Sequence, residues 1–206
     1  MKTKEIIEKN MKWIILFICL VLIIGIVKEI VDNEIMILDV GGYNFVSKYL
    51  ISDNITPIVK GITQLGGAIF LIGLSVILSI IIKNKKIGIL IWINIVISTL
   101  LNQILKYIVQ RPRPTEFRII DERGYSFPSG HSMVSAAFYG FLIYLIYKNI
   151  KNKYIKWGLI TILSLLIVLI GISRIYLGVH YTSDVIAGIL ISILYLIIFT
   201  HCTKKI

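Results

Sequence analysis

Cysteine, histidine and proline are all scarce in this 206-residue chain, at two, three and four residues, and acidic side chains number eleven against twenty-two basic ones. Each scarcity excludes something. Cys19 falls inside the first apolar run and Cys202 at the end of the last, so they share no level at which to pair, and neither a disulfide nor a sulfur-built metal site is expected. Pro57, Pro112, Pro114 and Pro128 lie outside the apolar runs or at their ends, which predicts straight spans. No repeat, low-complexity tract or interdomain linker interrupts the sequence, which reads as one domain over 1–206. A basic groove with interleaved aromatics is also missing, so the net charge of +11 is not the mark of a nucleic-acid surface.

What the chain has in excess is apolar residues, 57% of it, with a mean hydropathy of +0.87, against the roughly 45–50% of ordinary soluble domains. About 20 helical residues cross the hydrocarbon layer of a bilayer. Six stretches of that length are present, at 12–31, 62–82, 87–108, 129–147, 157–176 and 182–200, and they predict an all-α polytopic membrane protein with six transmembrane helices. Lysines precede the first run as they do in a signal peptide, but no small-residue cleavage site follows it, so it reads as a retained anchor.

Charge sets the expected orientation. The turns assigned to one side carry thirteen lysines (Lys2, Lys4, Lys9, Lys12, Lys83, Lys85, Lys86, Lys148, Lys151, Lys153, Lys156, Lys204 and Lys205) against Glu5 and Glu8; on the other side nine basic and nine acidic residues cancel. The positive-inside rule makes the lysine side cytoplasmic and places both termini there. All five arginines, Arg111, Arg113, Arg118, Arg123 and Arg174, fall on the opposite, outer side. Orientation alone does not sort lysine from arginine, whereas a planar fork suits carboxylate or phosphate oxygens, so the segregation points to an anion site outside. The longer connections, 32–61 and 109–128, face the same way. VSKYLIS in the first of them is a candidate surface helix, acting as a packed cap or as a substrate gate.

Three polar stretches carry the chemistry. In KYIVQRPRP, Lys106 and Arg113 are seven residues apart, close to two helical turns, with Pro112 and Pro114 expected to break the helix and leave Arg113 over the outer mouth. In FPSGHS, Ser129 is a candidate N-cap, Gly130 permits close backbone approach, and His131 stands in the first turn of a helix whose free N–H groups suit phosphate. In SRIYLGVHYTSD, Gly178 permits a reversal after Arg174. His180 and Asp184 would share a face if the sixth helix already includes His180, the carboxylate taking the Nδ1 proton and freeing the Nε2 lone pair. Each stretch has an ordinary account: a snorkelling lysine, a plain helix cap, an Arg174–Asp184 ion pair. Their shared location at the outer ends of spans three to six is what none of those accounts explains. Three cations, a helix N-terminus and two histidines around one point fit a phosphate ester, whose oxygens gain charge during transfer.

These residues resemble the three-part signature of the type 2 phosphatidic acid phosphatase superfamily: K-x6-RP at 106–114, PSGH at 128–131 and SR-x5-H-x3-D at 173–184, in that order. The signature region spans 106–184, and the six-span layout is similar to the membrane branch, which includes bacterial phosphatidylglycerophosphatase B and undecaprenyl-diphosphate phosphatases. The resemblance implies that Lys106, Arg113 and Arg174, with Ser129 and the Gly130 amide, hold the phosphoryl oxygens. It implies that His180 attacks phosphorus, that Asp184 orients it, and that His131 protonates the leaving group. Arg111 is off the motif spacing and is left on the rim with Arg118 and Arg123.

One aspartate amid three cations is a poor seat for a divalent ion, so no metal or other cofactor is expected. His201, at the inner end, is read as an interfacial residue. The expected partner is a membrane lipid phosphate in the bilayer of the cell envelope, with the site on the extracytoplasmic side and no obligate protein partner. Undecaprenyl diphosphate, phosphatidylglycerophosphate and phosphatidic acid all fit. A phosphotransferase passing the phosphate to another lipid or sugar would use the same residues. A six-span transporter would call for repeats or mid-membrane helix breaks instead.

Overall fold

The computed structural model describes residues 2–32, 36–115 and 117–203; the side chains of Lys2, Lys4, Glu5, Glu8 and Lys9, and residues Lys204 and Lys205, lie outside what is described. Among the described residues the regular structure is helical throughout. The order is α1 Lys2–Val31, α2 Ile37–Tyr49, α3 Thr56–Gln64, α4 Ala68–Ile81, α5 Lys85–Val109, α6 Gly130–Asn149, α7 Lys153–Tyr176 and α8 Thr182–Cys202. Five helices, α1 (through Asn10–Val31), α5, α6, α7 and α8, are long and apolar enough to cross a membrane; α3 and α4 together make a sixth if a bent pair counts as one span.

That pair corrects the expectation of straight spans. The stretch predicted as one helix over 62–82 is broken at Leu65, Gly66 and Gly67, and its two halves meet at 50°. Proline is not the cause, since Pro57 sits harmlessly in the first turn of α3. The break is held by packing: a Cβ on Gly66 would lie 2.7 Å from Ile170 Cγ2 of α7, and the Leu65 carbonyl released by the break accepts the Tyr139 hydroxyl of α6 at 2.7 Å. A backbone carbonyl at membrane depth needs such a donor.

Local signals fix the other helix ends. Asn84 caps α5 by accepting from Lys86 N, Asn152 caps α7 by accepting from Tyr154 N and Ile155 N, and Ser129 caps α6 as its sequence context predicts. At its far end α5 stops at Gln110, in the left-handed conformation with φ of 50°, two residues before Pro112.

Helix α6 is the centre of the bundle and packs against α5, α7 and α8, with α1 lying along α8. Its Phe138, Tyr139 and Phe141 join Leu71, Ile91, Ile95, Ile170 and Phe199 in the main buried cluster. Lipid is as apolar as these side chains, so close fit holds such helices together rather than burial from water. Gly188 shows the fit: a Cβ there would stand 3.1 Å from Ser129 O and 3.2 Å from Met133 N, so α8 reaches the start of α6 almost backbone to backbone. Outward-facing residues such as Ile69, Ile80 and Ile108 are exposed and apolar, the surface a bilayer requires.

This packing collects the C-terminal ends of α5 and α7 and the N-terminal ends of α6 and α8 at one end of the bundle, where the Ser129 amide donates to the Asp184 carbonyl at 3.1 Å. The exposed lysines of the α4–α5 turn, Lys83, Lys85 and Lys86, lie at the other end of α5, roughly 35 Å away at about 1.5 Å per residue. Of VSKYLIS, the first four residues close α2, which packs on α7 and α8, and Leu50, Ile51 and Ser52 lie beyond the helix.

Candidate active site

Five of the eight residues singled out from the sequence, Lys106, Arg113, Gly130, His131 and His180, line one cavity of about 310 Å³, together with Asn102, Gln103, Tyr107, Glu122, Arg123, Gly124 and Tyr125. The other three stand behind its wall. Ser129 is fully buried, and its hydroxyl oxygen accepts from Ser132 N at 3.4 Å and Ser132 Oγ at 3.0 Å, so its side chain holds the helix start and does not face the cavity. Asp184 and Arg174 are likewise buried.

His180 precedes α8 and does not belong to it, contrary to the expectation of a shared helix face. The chain turns at Gly178 (φ +69°), where a Cβ would fall 2.1 Å from the Phe117 carbonyl oxygen, and Tyr181 then caps α8. Asp184, at the third position of the helix, accepts the Tyr181 amide at 3.0 Å, and this capping box carries its carboxylate to 3.4 Å from His180 Nδ1. Ser126 completes the contact. Its hydroxyl donates to Asp184 Oδ2 at 2.5 Å and lies 3.3 Å from Nδ1, placed to accept the ring proton. On the far side of the ring, Arg113 Nη1 is 3.1 Å from Nε2. A guanidinium only donates, so Nε2 carries the lone pair and Nδ1 the hydrogen. Burial, opposed by Asp184 and reinforced by the Arg113 and Arg174 charges, lowers the His180 pKa to about 4, which leaves the imidazole neutral at physiological pH.

Backbone oxygens fix Lys106 and Arg113, and side chains fix Arg174. Lys106 donates to the carbonyls of Tyr125 and, at 3.4 Å, Ser126. Arg113 gives Nε to Gly124 O at 2.9 Å, Nη1 to Val179 O at 2.9 Å and Nη2 to Arg123 O at 3.1 Å, tying the loop before α6 to the turn before α8. Arg174, 1% exposed, gives Nη1 to Thr63 Oγ1 at 2.8 Å and Nη2 to Glu122 Oε1 at 2.5 Å; its Nε has no hydrogen-bond partner among the described residues. Glu122 also lies 3.5 Å from Arg113 Nη2. Burial alone would raise its pKa, but Arg174 and Arg113 overcome that and hold it below the ordinary glutamate value. The Arg174–Asp184 pair considered from the sequence does not form.

Arg111 is the largest correction. Far from lying on the rim, its side chain is 11% exposed and bridges two carboxylates, Asp184 Oδ1 at 2.7 Å and Asp39 Oδ2 at 2.7 Å. Burial weighs against its charge, yet Asp184 and Asp39 more than offset it and raise its pKa. Asp39, Glu122 and Ser126 escaped the sequence reading entirely. A second, mostly apolar cavity of about 790 Å³ lies on the other side of His180, lined by α2 and by Arg111, Pro114, Phe117, Tyr181 and Thr182.

Fold and site together define a helical membrane protein that gathers cations and histidines at one bundle end, and comparison with known proteins gives it a family. The chain belongs to the PAP2 superfamily, whose model matches residues 65–206. It is 34% identical over 157 residues to phosphatidylglycerophosphatase B of Bacillus subtilis (strain 168), covering 74% of this chain and 77% of that protein. It is 30% identical over 192 residues to undecaprenyl-diphosphatase of Sulfolobus acidocaldarius, covering 88% of this chain and 85% of that one. Its fold superposes on the crystal structure of a transmembrane PAP2-type phosphatidylglycerolphosphate phosphatase from Bacillus subtilis with a TM-score of 0.80, at 27% identity over 96% of this chain and 98% of that one.

Proposed function

We propose that this protein is a lipid phosphatase that hydrolyses a phosphate or diphosphate monoester of a membrane lipid through a phosphohistidine. The candidate substrates are undecaprenyl diphosphate, phosphatidylglycerophosphate and phosphatidic acid. The observation that carries the reading is the cavity of about 310 Å³ in which Lys106, Arg113, Gly130, His131 and His180 meet at one end of an apolar bundle. Relatives named as phosphatases of such lipids support it.

The chemistry runs through this chain's own groups. The Nε2 lone pair of neutral His180 attacks phosphorus as Arg113 Nη1 turns from that nitrogen to a phosphoryl oxygen. The bond from phosphorus to the lipid oxygen, or to the bridging oxygen of a diphosphate, breaks, and His131, which takes up a proton as the anionic substrate enters beside it, gives that proton to the departing oxygen. Neutral His131 next takes a proton from water, whose oxygen attacks phosphorus; the P–Nε2 bond breaks and inorganic phosphate leaves. Lys106, Arg113, Arg174 and the first amides of α6 stabilise the charge on the phosphoryl oxygens in both steps. The whole chain, 1–206, acts as one catalytic unit in this scheme. The exposed lysines at the opposite end of the bundle support an outward-facing site in the plasma membrane with both termini cytoplasmic.

The donor set speaks against a divalent ion in the reaction: among the described residues no three histidine, cysteine or carboxylate side chains cluster closely enough to hold one. Phosphate release from the three lipids in detergent is therefore expected to persist in excess EDTA. A requirement for added Mg²⁺ would overturn the metal-free scheme.

Glu122 supplies a second test, because its carboxylate holds Nη2 of Arg174, a donor that this scheme gives to a phosphoryl oxygen. Substrate must displace it. A charged hydrogen bond contributes about 1.5–3 kcal/mol, so Glu122→Gln should tighten inhibition by vanadate, an oxyanion of phosphate's shape, roughly tenfold. Weaker vanadate inhibition in the variant would show Glu122 to be a supporting member of the site and no competitor.

A further inference from the structure

Asp184 is fastened on both oxygens. Oδ2 takes Ser126 Oγ at 2.5 Å and the Tyr181 amide at 3.0 Å beside His180, while Oδ1 takes Arg111 Nη1 at 2.7 Å. Arg111 is itself seated from α2. Its Nη2 donates to Asp39 Oδ2 at 2.7 Å, its Nη1 also donates to Ser183 Oγ at 2.7 Å, and its guanidinium lies 3.9 Å from the centre of the Tyr181 ring. Asp39 closes the ring of contacts, accepting the Ser183 amide at 2.7 Å and the Ser183 hydroxyl at 2.9 Å from a position 144 residues earlier in the chain.

We propose that Arg111, held by Asp39, is a positioning residue for the His180–Asp184 pair, so that α2 is part of the catalytic architecture. This rests on the reading of His180 as nucleophile and Asp184 as its partner. Both Nη atoms of Arg111 are committed to side chains, Nη1 to Asp184 and Ser183 and Nη2 to Asp39, so its fork is tied to the protein rather than offered to a phosphoryl group. What it touches is the carboxylate that sets the imidazole tautomer. A buried carboxylate held only by neutral donors is costly and free to rotate or take up a proton, and either change would lose the acceptor for Nδ1–H and turn the lone pair away from the cavity. One planar fork can face Asp184 and Asp39 at once, as the point charge of a lysine cannot. A helix latch alone would need Asp39 and Ser183 but not the bond to Asp184 Oδ1.

The test compares full-length Arg111→Gln and Asp39→Asn with wild type in detergent, on phosphatidic acid, with thermal unfolding measured alongside, and repeats both in an Asp184→Asn background. Arg111→Gln should lower kcat by about 10- to 100-fold, the usual range for a residue that orients a catalytic ligand. KM should stay within roughly twofold, because no ground-state contact is lost. Asp39→Asn should act in the same sense and more weakly, and it carries the test if Arg111→Gln fails to fold. Neither should cost anything further once Asp184 is Asn. Full kcat in the folded variants, a raised KM at unchanged kcat, or losses that multiply with Asp184→Asn would each overturn the proposal. His180→Ala separates the two levels: turnover in that variant removes the catalytic reading, whereas an inactive His180→Ala beside an unslowed Arg111→Gln removes the positioning role alone.

Discussion

His180→Ala should lower kcat for phosphate release from phosphatidic acid by roughly 10⁴-fold or more, as loss of a nucleophile does in enzymes with a covalent intermediate. The expected magnitude follows from where the ring stands. It is 4% exposed, its Nδ1 is committed to Ser126 and Asp184, and its Nε2 is the unprotonated nitrogen facing the cations. Among the described residues of the cavity wall, His180 alone combines nucleophilicity with such an orienting partner. The variant keeps Lys106, Arg113 and His131, so binding survives and KM changes little; the loss falls on kcat. Phosphate release by malachite green or a labelled lipid reads it directly, and activity within roughly tenfold of wild type would show that another group attacks.

Arg174→Ala should be nearly as damaging, by a different route. Arg174 is buried at the end of α7 and is the strongest partner of Glu122. Removing a fixed donor to a developing oxyanion costs about 10²–10³ in kcat. It also leaves the Glu122 carboxylate with only Arg113, 3.5 Å away, and breaking a buried ion pair on one side destabilises by about 3–5 kcal/mol, a figure to discount here because Arg113 remains and Glu122 is 27% exposed. The double variant Arg174→Ala/Glu122→Ala separates the effects. It removes both charges, so the melting temperature should recover most of its loss while kcat stays low. Recovery of activity together with stability would mean that Arg174 serves the fold alone.

The sequence was most informative where function sits at helix ends. Lys106 and Arg113 lie at and just beyond the end of one helix, Ser129 to His131 open the next, and Arg174 to Asp184 span a turn between two more, so short local spacings named five of the residues that line the cavity. The parts that stayed hidden depend on distant pairings. Asp39 meets Ser183 across 144 residues and Glu122 meets Arg174 across 52, and an isolated acidic residue in a connection carries no periodicity that would announce its partner. Arg111 was misplaced because Arg113 has the motif spacing; only the fold shows that after the α5 break at Gln110 the two arginines serve opposite sides of His180, Arg113 toward Nε2 and Arg111 toward the carboxylate behind Nδ1. The bend at Gly66 and Gly67 escaped for a comparable reason. Proline is a local signal for a break, whereas here Ile170 and Tyr139 from other helices hold it. The number of spans, in turn, depends on whether that bent pair counts as one.

Catalysis in this scheme requires one phosphorus-binding point shared by distant segments of the chain. A structure of the protein with vanadate tests it most directly. The expected result is vanadium bonded to His180 Nε2, with Lys106, Arg113 and Arg174 on its equatorial oxygens, His131 at the opposite apex and Glu122 displaced. Vanadate seated in the larger cavity beside α2, or held by the cations with Nε2 out of bonding distance, would contradict it.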